Sequence, residues 1–198
     1  SALSRLLGRI DDLDAFIAGH PVLEEHAFLL RKLKQSAAHV IDPALEPTVL
    51  RMQTTGGSAW SRLRNDLDAN LMIPFEKDGK SETLPLSAIR GLAYDASADV
   101  RRRAYEAEIS AYPRIEIPMA ACLNGIKGEA LTLMDLRHYD SVLDSALDVS
   151  RMDRETLDAL LDVMRESLPM FRRYFRLKAK MLGYEGGLKF CDLFAPVG

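Results

Sequence analysis

The sequence predicts a mainly α-helical fold, a multi-helix domain fragment with one short β-hairpin, on three observations. Apolar residues recur every three or four positions along most of its 198 residues, the period changes to two only between Leu71 and Leu86, and Gly and Pro punctuate the patterns. Hydrophobic residues make up 47% of the chain, enough for a sizeable core in one domain or an elongated piece of one.

Leu3, Leu6, Ile10, Leu13 and Ile17 share one helical stripe, so a first helix is expected to end near Ala18, with Gly19 and Pro21 as its stop. A second stripe through Leu23, Ala27, Leu30, Leu33, Ala37 and Ile41 ends at Asp42-Pro43, because proline pushes the residue before it out of the helical region. The two helices are expected to form an antiparallel hairpin. The pattern weakens across Thr54-Thr55-Gly56-Gly57 and resumes with Trp60, Leu63, Leu67 and Leu71, which predicts a glycine bend between two helical pieces. Ile73 and Phe75 then alternate with Pro74, Asp78-Gly79 reads as a tight turn, and Ser81 to Leu84 returns. This is the hairpin of residues 71–86, and Pro74 and Pro85 confine it to edge positions.

Ser97 is the expected cap of the next helix, whose Val100, Ala104, Ala107 and Ala111 make a small-residue face that admits a close neighbour. Pro113 and Pro118 would each cost about 3 kcal/mol inside a helix. A break is therefore expected between Tyr112 and Pro118, with Pro118 in the first turn of a new helix. Met119, Leu123, Ile126, Ala130 and Leu133 continue that stripe toward Leu147. The last helix starts near Asp153, follows Leu157, Leu161, Met164, Leu168, Phe171, Phe175 and Leu182, bends at Pro169 and ends at Gly183 in a left-handed cap.

Charged residues are 28% and the net charge is −3, which gives no electrostatic reason to expect nucleic acid. No apolar run approaches the roughly 20 residues that span a bilayer, so no membrane is expected either. Cys122 and Cys191 are too few for a disulfide framework, and a reduced, cytoplasmic chain is the expectation, with one buried disulfide as the alternative.

Few residues of the chain are spaced for chemistry. His20 and His26 in HPVLEEH are six residues apart, roughly 600° of helical rotation, whereas a zincin pair needs two histidines at i and i+4 on one face. His39 and His138 are isolated, Cys122 has no nearby histidine, and GGSAW is neither a nucleophile elbow nor a phosphate loop. The basic cluster Arg172, Arg173, Arg176, Lys178 and Lys180 suits the negative end of a helix dipole. No catalytic residue and no metal-ligand set is expected in this chain.

Four segments taken in order go further: GGSAWSRL from Gly56, AYDASADVRRRAYEAEISAY from Ala93, LNGIKGEALTLMDLRHYDSVLDSAL from Leu123, and YFRLKAKMLGYEGGLKFCDLFAP from Tyr174. Over most of residues 39–198 this set resembles the oligoendopeptidase F family, zinc peptidases related to thimet oligopeptidase. The resemblance implies a helical portion, residues 1–198, upstream of an H-E-x-x-H domain, with the catalytic zincin core absent and the chain truncated at both ends. Zinc is expected in the parent enzyme and none bound by this chain, which alone would be inactive. The implied partners are a peptide substrate, held in a channel that this part walls, and the missing C-terminal catalytic half, without which the fragment would self-associate through uncovered apolar surface.

Arg137 and Tyr139 match the family's Arg-x-Tyr and are the substrate-channel candidates. Two residues apart on a helix they would point about 200° from each other, so at most one lines the channel. The plainer expectation is Tyr139 packed on a neighbouring helix and Arg137 in an ion pair. Pro113 and Pro118 depart from the family, whose helix there usually runs on unbroken. The competing reading is a stand-alone helical interaction module that binds a partner helix.

Overall fold

The computed structural model describes residues 2–77 and 79–197. In chain order the first helices are α1 (Ala2–Leu7), α2 (Leu13–Ile17), α3 (Pro21–Glu25), α4 (Ala27–Ser36), α5 (Glu46–Thr55) and α6 (Gly57–Ala69). Strands β1 (Met72–Lys77) and β2 (Lys80–Pro85) come next. The remainder is α7 (Leu86–Gly91), α8 (Ala98–Ala111), α9 (Glu116–Leu136), α10 (Val142–Ser150) and α11 (Arg154–Met181). The mainly helical fold with a single hairpin stands. The chain divides into two compact units, Ser1–Gly57 with Lys127–Arg151, and Ser58–Ile126 with Met152–Gly198.

In the first unit both expected long helices are interrupted. The first stripe is carried by α1 and α2, because the Asp12 carboxylate accepts from Ala15 N at 2.9 Å and restarts the helix there. The turn also needs a residue without a side chain, since a Cβ on Gly8 would lie 2.9 Å from the Ala37 methyl. Leu13 and Ile17 bury as expected, with Leu7 beside them and Ile10, Leu23, Ala27, Leu30 and Leu33 against them, whereas Leu3 and Leu6 of the expected stripe are exposed. The second stripe divides at His26, whose ψ of 11° leaves the helical range, into α3 and α4. Pro21 stands in the first turn of α3, where its missing N–H costs nothing. The two stripes do pair, as α1 and α2 against α4, and Lys34 Nζ ties α4 to the intervening turn by donating to Ile10 O at 2.6 Å and Asp11 O at 2.8 Å.

The glycine bend falls at Gly56, between α5 and α6. In the second unit β1 and β2 pair antiparallel, from Met72 opposite Pro85 to Lys77 opposite Lys80. Gly79 takes the left-handed φ of 73° that a tight turn needs, and Asp78 lies outside the described residues. Ile73 and Phe75 point inward beside Leu71, Leu86, Ile89, Val100, Ala104 and Ala111, so the small-residue face of α8 packs as expected. The Ser97 hydroxyl accepts from Val100 N at 3.4 Å. The chain leaves helical geometry at Ile115 and α9 then begins with Pro118 in its first turn.

That helix does not run on toward Leu147. It ends at Leu136, His138 adopts a left-handed φ of 56°, and Ser141 starts α10 by accepting from Asp144 N at 3.1 Å. Arg137 and Tyr139 therefore lie between two helices, and the angular argument for a shared helix does not apply to them. The start and stop of α11 are as expected: Asp153 accepts from Thr156 N at 2.7 Å, and Gly183 has a φ of 80°.

A buried ion pair fastens the closing segment to α8. Arg101 and Asp192 side chains are 2% and 1% exposed, and Arg101 Nε donates to Asp192 Oδ1 at 2.8 Å. Arg101 also donates to the carbonyls of Asp95 at 2.7 Å and Ala96 at 2.9 Å. Tyr184 OH donates to the second Asp192 oxygen at 2.6 Å, and Lys178 Nζ to Leu193 O at 2.9 Å. With each charge given several partners, the desolvation of the pair is offset locally.

Candidate functional site

Arg137 and Tyr139 are both placed in the first unit, and only the tyrosine is built into its surroundings. Tyr139 stacks on His39, with ring centroids 3.8 Å apart and planes 7° from parallel, and its hydroxyl donates to Asp148 Oδ2 at 2.7 Å. His39 Nδ1 lies 2.9 Å from the Arg137 carbonyl, which can only accept, so Nδ1 carries the proton. This is the packing role expected of Tyr139. Among the described residues the Arg137 guanidinium forms no ion pair, contrary to expectation, because the turn after Leu136 leaves it exposed. Of the two candidates, Arg137 is the one free to meet a ligand.

Burial, reinforced by Asp148, pushes the Tyr139 phenol up to about 12, with Arg137 pulling weakly the other way. The folded value exceeds the ordinary phenol value of about 10, so the fold favours the neutral form. That contribution is intact below about pH 10 and is lost as pH rises toward about 12. Unfolding measured on both sides of this window should show the stability advantage of the native chain over Tyr139→Phe shrinking with rising pH. An advantage independent of pH would refute the assignment.

The second unit holds a cleft of about 660 Å³. Ile109, Ile115, Met119, Leu123 and Ile126 supply an apolar lining, and Arg64, Asp68, Arg90 and Glu116 the charged part of the wall. Arg90 is held in place, donating to Glu108 Oε1 at 2.8 Å and to Tyr112 OH at 2.7 Å, while Tyr112 OH donates to Glu108. The break at Ile115 borders this cleft, which Tyr112, Pro113 and Ile115 all line. An apolar pocket of this size with a few fixed polar groups suits a small organic ligand or an apolar peptide side chain. None of its charged residues was marked in the sequence; the break expected between Tyr112 and Pro118 was the available signal.

Two glycine contacts explain the GGSAW and LNGIKGE segments. In the first unit Glu129 reaches the start of α6, its Oε2 accepting from Gly57 N at 2.6 Å, where a carboxylate also meets the positive end of the helix dipole. A Cβ on Gly57 would stand 2.5 Å from Glu129 Oε1. In the second unit Gly125 lies against Trp60, and a Cβ there would come within 2.5 Å of the indole ring.

Among the described residues no three His, Cys, Asp or Glu side chains are grouped to hold a metal ion. Cys122 is buried and Cys191 half-buried, both as free thiols. No helix of the described residues is long and apolar enough to cross a membrane.

A family model described as Oligopeptidase F matches residues 10–72. The chain is 25% identical over 189 residues to Group B oligopeptidase PepB of Streptococcus agalactiae serotype III (strain NEM316), covering 94% of this chain and 31% of that protein. It is 21% identical over 189 residues to Oligopeptidase PepF of Bacillus subtilis (strain 168), covering 94% of this chain and 28% of that one. The fold matches the crystal structure of oligoendopeptidase-F from Enterococcus faecium with a TM-score of 0.77 and 23% identity, over 98% of this chain and 39% of that one. Together these matches support the oligoendopeptidase F family for this chain, in its amino-terminal part. It spans less than a third of the length of the two oligopeptidases it matches.

Proposed function

We propose that this chain is the helical part of a zinc-dependent metalloendopeptidase, that it forms a wall of the substrate channel, and that the catalytic centre lies in the rest of the parent. The carrying observation is the extent of the likeness, which takes in 94% of this chain but 31% of a relative named as an oligopeptidase. The zinc and its chemistry are assigned to that remainder. The substrate is a peptide, the setting cytoplasmic, and the chain alone is inactive and self-associates through apolar surface that the missing C-terminal catalytic half would cover. A stand-alone interaction module is the second reading, favoured by the long exposed apolar surface of α11.

Arg137 is the residue assigned to the channel, where a guanidinium can pair with a peptide carboxylate or carbonyl. In the full-length parent Arg137→Ala should lower kcat/KM for short peptides about tenfold, as loss of one charge-assisted hydrogen bond predicts. Tyr139→Phe should leave kcat/KM near the parent value, because its hydroxyl is already engaged by Asp148. Unchanged kinetics in Arg137→Ala, with folding intact, would remove Arg137 from the channel.

A further inference from the structure

At about 100° per residue, the side chains of α11 sort into two arcs. Asp158, Asp162, Arg165, Glu166, Arg172, Arg173, Arg176 and Lys180 occupy a narrow polar arc with Pro169. The apolar residues between Leu157 and Met181 cover the remaining arc of roughly 200°, interrupted only by Ser167 and Lys178. A helix that packs on one neighbour needs an apolar stripe of about half that width. This helix is patterned to be covered on two sides.

Full burial is confined to one end of it, with Leu157, Ser167 and Phe175 half-buried along the rest. Ala179 and Lys178 are buried in the second unit, on the line that runs back through Phe171, Leu168, Met164 and Leu161. Toward the amino terminus that line opens to solvent, with Leu168 47% and Met164 57% exposed. The other half of the arc, Val163, Met170 and Leu177, is more than half exposed throughout. So much contiguous apolar surface marks an interface.

We propose that α11 is an interior helix of the parent protein, and that polypeptide beyond residue 197 covers both halves of its apolar arc. This rests on the reading of the chain as part of a longer peptidase. Two observations select that occupant. The closing segment is anchored to α11 itself, through Lys178 Nζ to Leu193 O at 2.9 Å, so the described carboxyl-terminal residues lie beside this helix. The first unpacked turns also continue a line already buried at Ala179, so the same side of α11 is extended and no separate patch is required.

The test uses the full-length parent carrying Cys191→Ser, with single cysteines introduced as Leu168→Cys, Val163→Cys and Glu166→Cys, one on each half of the apolar arc and one on the polar arc. Maleimide labelling of the folded proteins should be slower by about tenfold or more at the two apolar positions than at Glu166→Cys. Rates at either apolar position close to that of Glu166→Cys would overturn the proposal, as would protection that disappears on dilution, which would assign the surface to a second copy. Peptide hydrolysis by the same proteins reports separately on the enzyme reading. Hydrolysis without protection sinks this inference alone, and protection without hydrolysis sinks only the enzyme reading.

Discussion

Asp192→Ala is expected to destabilise the chain by about 3–5 kcal/mol, the cost of leaving a buried guanidinium without its carboxylate. Arg101 is 2% exposed and cannot swing into water without unpacking the closing segment from α8, and Tyr184 loses its acceptor in the same step. Replacing both charges by apolar residues of similar size, as in Arg101→Met with Asp192→Leu, should recover most of that loss, because the double change removes the desolvation cost together with the attraction. Urea unfolding of the two variants checks this. Equal destabilisation in both would show that the loss comes from disturbed packing and not from an unpaired charge.

Gly125→Val should destabilise by about 1–3 kcal/mol, the range for forcing extra atoms into filled space. The added Cβ would stand 2.5 Å from the Trp60 ring, a rigid group that cannot fold away as a long flexible side chain can. Gly128→Ala, three residues on in the same helix, provides the contrast. Nothing lies within 4 Å of its Cβ position, so relief of glycine's backbone entropy should stabilise by about 0.5–1 kcal/mol. Thermal unfolding in which both substitutions shift stability the same way would contradict the assigned Trp60–Gly125 contact.

The parts of the fold that were legible in sequence are those fixed by local chemistry. The hairpin was announced by a change of period and by Gly79, the starts of α8 and α11 by Ser97 and Asp153, the break before α9 by Pro113 and Pro118, and the end of α11 by Gly183. Helix continuity was less legible. The spacing put Leu3 and Leu6 on the buried stripe, but they are 48% and 60% exposed and Leu7 is buried with Leu13 and Ile17 instead, because the turn after α1 shifts the phase. The end of α9 at Leu136 depends on His138 entering left-handed geometry, which its residue type does not announce.

The candidate site was legible only by resemblance, and only as far as Arg137 and Tyr139. Contacts between distant residues carried the rest: Arg101 meets Asp192 across 91 positions, and Gly57 meets Glu129 across 72. The double glycine before α6 was the one local hint, since adjacent residues without side chains at a helix start invite close approach by another group. It could not name Glu129 as that group.

Peptide hydrolysis by the purified full-length parent, measured before and after chelation, decides whether this helical part belongs to a zinc endopeptidase. A zinc endopeptidase with a channel walled by this helical part should cleave short peptides, lose that activity to a chelator, regain it with added zinc, and leave folded proteins intact. A parent that cleaves no peptide, or cleaves equally well after its metal has been removed, would contradict the account.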